Sequence, residues 1–180
     1  MKVELRNLKA QDQMPLERML ASILSFDPED RALAMELINI ALDQTDQKDY
    51  SFILAIDEDD QPVGYICYGP TPLTDGTFDL YWIAIDPRCA GQGIGALLLK
   101  AVEEDIQSRG GRMLLIETSS SLAYEQTCRF YLKKGYELVE TIRDFYRQGE
   151  DRLTFIKCFS PDGYLSGKEV PYDSSCGINR

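Results

Sequence analysis

The segment Ile85-Asp86-Pro87-Arg88-Cys89-Ala90-Gly91-Gln92-Gly93-Ile94-Gly95-Ala96 sets three glycines at alternate positions just ahead of an apolar-striped stretch. Residues without a Cβ let a chain turn tightly and let its backbone come close to a ligand. If a helix opens here, its first N–H groups lack partners and its dipole presents positive charge, a combination that binds phosphate groups. The same glycines would also let the helix pack close on the preceding strand. Gly91, Gly93 and Ala96 fit G-x-G-x-x-A, the spacing of a dinucleotide loop, and Glu117 lies 21 residues after Ala96 at the end of the next strand. Against that reading, Asp86 to Ala90 intervene between strand and glycines, and too little chain follows Glu117 to complete a parallel sheet. A mononucleotide P-loop is weaker still, because no Gly-Lys-Ser/Thr is present.

What is missing narrows the chemistry further. The 180 residues include no histidine, so Ser-His-Asp and Cys-His mechanisms are excluded, along with the commonest metal ligand. The five cysteines are widely spaced and contain no Cys-x-x-Cys, so neither a zinc site nor a disulfide framework is expected, and a reducing cytoplasm is the plain reading. The net charge of −11 opposes binding to a phosphate backbone, so no nucleic-acid partner is expected. Met1 to Arg6 lacks the apolar core of a signal peptide, and no apolar run approaches the roughly 20 residues that span a bilayer, so no membrane association is expected.

The elements that must position the glycine loop follow from periodicity. Residues 3–8 alternate as a strand, and two amphipathic helices fill about 12–44, the second opened by Asp27-Pro28-Glu29-Asp30. The runs 51–56 and 63–68 form a hairpin around the polar turn Asp57 to Pro62. Thr77 to Ile85 is a third member, with Asp79, Tyr81, Ile83 and Ile85 expected on one face. A helix from Ile94 to Arg109, a strand over 112–118, a helix over 124–134 and two strands, 136–143 and 153–158, complete the order. The fold class is therefore α/β in the α+β sense: a single mixed, mostly antiparallel sheet flanked by helices, with one parallel strand–helix–strand unit over 77–118. One domain is expected over 1–159, with an irregular extension over 160–180 that holds Pro161, Gly163, Gly167, Pro171 and Gly177.

Two motifs in register resemble a known family. Ile83-Ala84-Ile85-Asp86-Pro87 followed by Gly91-Gln92-Gly93-Ile94-Gly95-Ala96-Leu97-Leu98 is similar to the acetyl-CoA loop of the GNAT N-acetyltransferase superfamily. Phe130-Tyr131-Leu132-Lys133-Lys134-Gly135-Tyr136 is similar to the Phe-Tyr-x-x-x-Gly-Phe/Tyr ending of that family's fourth helix. The motifs stand one strand and one helix apart, as they do there, and the element order fits the acyl-CoA N-acyltransferase fold. Two positions depart. Ala90 stands where the family carries Arg or Gln, unless the register is shifted to Arg88, Gly91 and Gly93, which moves the helix start relative to Pro87. Tyr124 stands where an Asn often opens the fourth helix.

The resemblance implies transfer of an acetyl group from acetyl-CoA to a primary amine within a ternary complex, without a metal. It implies that Ile83, Ala84 and Ile85 pair with the pantetheine arm, and that Ala90, Gly91, Gln92, Gly93, Ile94, Gly95, Ala96 and Tyr124 border the cofactor. Tyr131 stands at the position of the family's tyrosine acid. An alkyl amine has a pKa of roughly 10 and must lose a proton before it attacks. With histidine absent, that proton goes to a carboxylate or a water relay, with Glu117 the first candidate and Asp79 the second. Ser119-Ser120-Ser121 is expected to cap the next helix, and residues 141–151 form a hairpin with aromatics at its tip that could line the acceptor site. Partners implied are acetyl-CoA and a small amine or peptide amine, with a homodimer left open. Two other classes stay in view: a catalytically silent acyl-CoA-binding or sensing module, motivated by Ala90, Tyr124 and the absent histidine, and a nicotinamide-dependent enzyme.

Overall fold

The computed structural model describes residues 2–159. Seven strands form one sheet: β1 (Glu4–Asn7), β2 (Ser51–Ile56), β3 (Pro62–Pro70), β4 (Thr77–Ile85), β5 (Met113–Ser119), β6 (Glu137–Arg147) and β7 (Glu150–Cys158), in the spatial order β1-β2-β3-β4-β5-β7-β6. Every pairing is antiparallel except β4 with β5. The parallel pair is the expected strand–helix–strand unit, crossed by α3 (Ile94–Ser108).

The sheet is covered on both faces. On one, α3 and α4 (Glu125–Lys133) bury Leu98, Val102, Ile106 and Tyr131 against Ile66, Phe78, Leu80, Leu114, Ile116 and Phe155. On the other, α1 (Gln13–Ser22) and α2 (Pro28–Asp43) bury Leu16, Leu20, Ala34 and Ile38 against Phe52, Leu54, Tyr65, Cys67 and Ala84. The start of α2 is fixed by its sequence. The Asp27 carboxylate accepts from the Glu29 and Asp30 amides at 2.8 Å each, and Asp30 accepts from the Asp27 amide at 3.0 Å, with Pro28 in the first turn. Removing such a cap costs about 1 kcal/mol.

Three local expectations change. Tyr81 is an extra residue in β4: Cys67 pairs with Trp82 and Tyr68 with Leu80, leaving Tyr81 unmatched. A bulge of this kind shifts the side-chain alternation by one. Asp79, Tyr81, Ile83 and Ile85 therefore do not share a face. Tyr81 and the adjacent Trp82 both pack toward α1 and α2, whereas Ile83 and Ile85 pack toward α3. Second, β6 runs on to Arg147, so Phe145 and Tyr146 belong to the strand and only Gln148-Gly149 makes the turn. Third, Ser121 at the head of the short turn before α4 has no side-chain cap bond. Instead Ser119 Oγ accepts from the Ser121 amide at 2.9 Å and donates to Glu150 at 2.5 Å. The extension expected over 160–180 lies outside the described residues.

Candidate active site

The glycine loop opens α3 as the spacing predicts. Asp86, 2% exposed, accepts from the Arg88 amide at 2.9 Å and from the Arg88 guanidinium at 2.6 Å, which turns the chain out of β4. That bidentate neighbour holds the Asp86 carboxyl below the usual carboxylate range. Arg88 is thereby tied to Asp86. Gly91 (φ +76°) and Gly93 (φ +84°) occupy the left-handed region, and a Cβ at either would meet nothing within 4 Å. Both conformations favour glycine, and the space before them is open. The amides of Gly91, Gly93, Ile94, Gly95 and Ala96 have no backbone acceptor among the described residues. Five N–H groups therefore converge around one helix start, the donor set an anionic diphosphate needs. A shallow groove lined by Ala96, Leu97, Lys100, Glu103, Lys134 and Lys157 continues along α3, with Lys157 paired to Glu103 at 2.8 Å and Lys100 to Glu104 at 3.5 Å.

Beside this loop the sheet forks. β4 and β5 pair only from Thr77 with Met113 to Leu80 with Ile116, although β4 continues to Ile85 and β5 to Ser119. The strands part where Tyr81 bulges. Beyond it, the β5-facing edge of Tyr81–Ile85 has no strand partner, leaving backbone groups free to pair with an extended ligand. Ile83, Ala84 and Ile85, three expected cofactor contacts, lie on this free edge.

Tyr131 belongs to the α3 side of the fork. It is 2% exposed, within 6 Å of the rings of Phe130, Tyr136 and Phe155, and shares their cluster with Leu80 and Ile116, the last paired residues of β4 and β5. Its hydroxyl bonds to no described residue, and burial raises its pKa, so it remains a protonated donor at neutral pH. A Cβ at Gly95 would touch the Phe130 ring at 3.6 Å, which sets this aromatic cluster beside the first turn of α3.

The carboxylates lie on the opposite face. Asp79 pairs in register with Leu115, and Glu117 follows two residues on, so both carboxylates project to the α1 and α2 side. They differ in partners. Glu117 pairs with Arg152 at 3.3 Å, and that guanidinium also meets Glu140 at 3.2 Å and lies over the Phe145 ring at 4.6 Å. Asp79 accepts from Thr71 Oγ1 at 2.8 Å and has no cationic partner among the described residues. Burial raises its pKa. Asp79 is thus the carboxylate without a cation beside it, and Glu117, placed first in the sequence reading, is the one held in an ion pair. Burial and the nearby Asp79 charge push the Tyr81 phenol up to about 12. Tyr124, at the head of α4, is half-buried. Burial and the carboxylates of Asp30, Asp27 and Glu150 raise its phenol to about 12, which places it toward the start of α2 and the β6–β7 turn. Among the described residues, no group of three or more Cys, Asp or Glu side chains could hold a metal, and no helix is long and apolar enough to cross a membrane.

The family model described as Acetyltransferase (GNAT) family matches residues 16–136, a span that contains most of α1, all of α2, the loop, the fork and Tyr131. The chain belongs to the GNAT acetyltransferase family. The GNAT assignment sets aside the dinucleotide spacing of Gly91, Gly93 and Ala96. An uncharacterised N-acetyltransferase from Methanocaldococcus jannaschii is 31% identical over 102 residues, a match spanning 55% of this GNAT chain and 61% of that relative. A crystal structure described as an acetyltransferase of the GNAT family from Desulfovibrio desulfuricans is 38% identical, with a TM-score of 0.83, over 87% of this chain and 99% of that one. A PaiA N-acetyltransferase from Thermoplasma acidophilum, solved with coenzyme A, shares the GNAT fold at 18% identity, with a TM-score of 0.69, over 88% of this chain and all of that one.

Proposed function

We propose that this protein transfers the acetyl group of acetyl-CoA to a primary amine. The observation that carries the reading is the juxtaposition of five unpartnered loop amides with the free edge of β4 at the fork. The first suits the diphosphate of CoA and the second its pantetheine amides. The coenzyme A seen in the Thermoplasma acidophilum neighbour supports the same ligand.

In this reading the thioester lies in the fork, with Tyr131 on one face and Asp79 on the other. The amine nitrogen gives its proton to Asp79, directly or through a water, and forms a bond to the carbonyl carbon. A free N–H on the β4 edge polarises the carbonyl oxygen. The C–S bond breaks, the thiolate takes a proton from Tyr131, and the acylated nitrogen returns its second proton to the Tyr131 oxygen, so the products are an N-acetyl amine and CoA, and Asp79 passes the proton it took to solvent. Glu117, held by Arg152, borders the path of the incoming cation.

Two measurements test this. In thermal shift, CoA at about 100 times its dissociation constant adds roughly 2.7 kcal/mol and raises the midpoint by several degrees. NAD produces no shift. A shift with NAD and none with CoA overturns the proposal. Asp79→Asn lowers kcat/KM by about tenfold, less than the usual general-base effect, because an amine also loses protons to water as pH rises. The wild-type rate falls as acidification protonates Asp79, and this limb is absent in the variant. A carboxyl whose folded pKa is raised is most stabilising when protonated, so wild-type stability declines as pH rises from the unfolded value through the folded one. Asp79→Asn therefore raises the melting midpoint at pH 7 by about one or two degrees and leaves it unchanged in acid. A variant with unaltered rate and pH profile removes Asp79 from the mechanism.

A further inference from the structure

The acid of the proposed reaction has a neighbour that the reaction does not use. Tyr131 is 2% exposed, and its hydroxyl bonds to no described residue. Buried donors nearly always have partners, so this one takes its partner from outside the chain. Helical side chains lean toward the N-terminus and cover the turn before their own Cα. Cys128 stands three residues earlier on α4, on the same side of the helix, so the two Cβ atoms lie about 5–6 Å apart and the phenol lies over the thiol. A charge on Cys128 is felt by the Tyr131 phenol.

Cys128 also belongs to the fork. Its half-buried thiol donates to the Ser119 carbonyl at 3.8 Å. Ser119 is the last residue of β5, beyond Ile116, where β4 and β5 stop pairing. The other described cysteines stand elsewhere. Cys67 is fully buried, Cys89 is 8% exposed in the turn before the glycine loop, and Cys158 pairs with Met113 at the end of β5 away from the fork.

We propose that Cys128 is a redox modification site for the disulfide of coenzyme A, which seats one CoA half in the fork and leaves it joined to Cys128 as a mixed disulfide. The inference rests on the acetyltransferase reading, which sets the CoA sulfur beside Tyr131. The Cys128 thiolate attacks the sulfur of the seated half. The CoA–CoA S–S bond breaks and a Cys128–CoA S–S bond forms. The second CoA leaves as a thiolate and takes up the proton that Cys128 gave up. One disulfide is exchanged for another, so no further oxidant is needed.

Burial raises the Cys128 pKa, so little thiolate is present at neutral pH and disulfides in general react slowly with it. A CoA half held beside the thiol turns a bimolecular encounter into an intramolecular one. Selectivity thus comes from the cleft, not from the thiol. The adduct fills the cofactor site with its own CoA and stops acetyl transfer until a reductant releases it.

The test incubates the full chain, reduced and then freed of reductant, with CoA disulfide or with cystamine, which has the same thiol terminus but no nucleotide. Intact mass, peptide mapping and acetylation rate are followed together. CoA disulfide adds one CoA at Cys128 about tenfold or more faster than cystamine adds at the same concentration. Activity falls in step, dithiothreitol restores it, and excess acetyl-CoA slows the addition. Cys128→Ala keeps the kcat and CoA affinity of the wild type and stays active in CoA disulfide. Addition mapped to another cysteine, equal rates with cystamine, or inactivation of Cys128→Ala overturns the inference. CoA binding and acetylation with no adduct at Cys128 overturn the redox site alone, whereas failure to bind CoA at all overturns the acetyltransferase reading beneath it.

Discussion

Tyr131→Phe lowers kcat by about a hundredfold or more and leaves the protein about as stable as before. The chemical half of that expectation comes from the leaving group. A thiol of pKa near 8.5 departs as a thiolate that needs a proton, and general-acid catalysis of such a step supplies roughly 10²–10⁴. The stability half comes from packing. The Tyr131 ring stays within 6 Å of Phe130, Tyr136 and Phe155 when the oxygen is removed. The hydroxyl bonds to no described residue, so its removal breaks no native hydrogen bond. Steady-state kinetics, CoA titration and thermal melting on the two proteins give three separate readings. Loss of kcat with intact CoA affinity and an unchanged midpoint supports the acid. Equal rates remove Tyr131 from proton transfer and make it a core aromatic. A wild-type protein that binds CoA yet acetylates no amine is the silent acyl-CoA module, and Tyr131→Phe is then without functional effect.

What could be read from the sequence was local. The glycine loop and the Phe130-Tyr131 motif are runs of a few residues whose backbone demands are carried by the residues themselves, and they stand in the structure where the spacing put them. The two helices over 12–44 and the mixed sheet were legible for the same reason: periodicity and capping act within a few residues, as at Asp27 and Asp30. The fork was not legible, because it depends on where β4 stops pairing with β5, and no residue in either strand announces that. The bulge at Tyr81 was equally hidden. A run of Asp79-Leu80-Tyr81-Trp82-Ile83 alternates well enough either way, and only the pairing of Cys67 with Trp82 and Tyr68 with Leu80 reveals the extra residue. That one residue brings Trp82 to the face of Asp79 and Tyr81 and turns Ile83 and Ile85 away. The different partners of the two carboxylates were hidden for a related reason. Arg152 reaches Glu117 because β7 lies beside β5, a contact between positions 35 residues apart in sequence. Charge pairing of that kind is a property of topology, and it leaves Asp79 as the free carboxylate.

Gly93→Val is expected to weaken CoA binding by about a hundredfold while the fold persists. The substitution does not fail for lack of room, since a Cβ at Gly93 would meet nothing within 4 Å. It fails on the backbone. At φ +84° an L-residue is strained by about 1–2 kcal/mol, and a β-branched one by more. The loop relieves that strain by rotating Gly93 toward negative φ, which swings the Gly93 and Ile94 amides off the point where the loop N–H groups converge. Hydrogen bonds to a charged group are each worth about 1.5–3 kcal/mol, so losing one or two accounts for the fall. Gly110→Val separates strain from function. Gly110 has φ +76° and equally open space, but it lies past the far end of α3. Both variants should lose similar melting temperature, and only Gly93→Val should lose CoA, measured by calorimetric titration. Equal CoA affinity in the two variants would mean that the loop amides do not hold the diphosphate, and the fork alone would then have to account for binding.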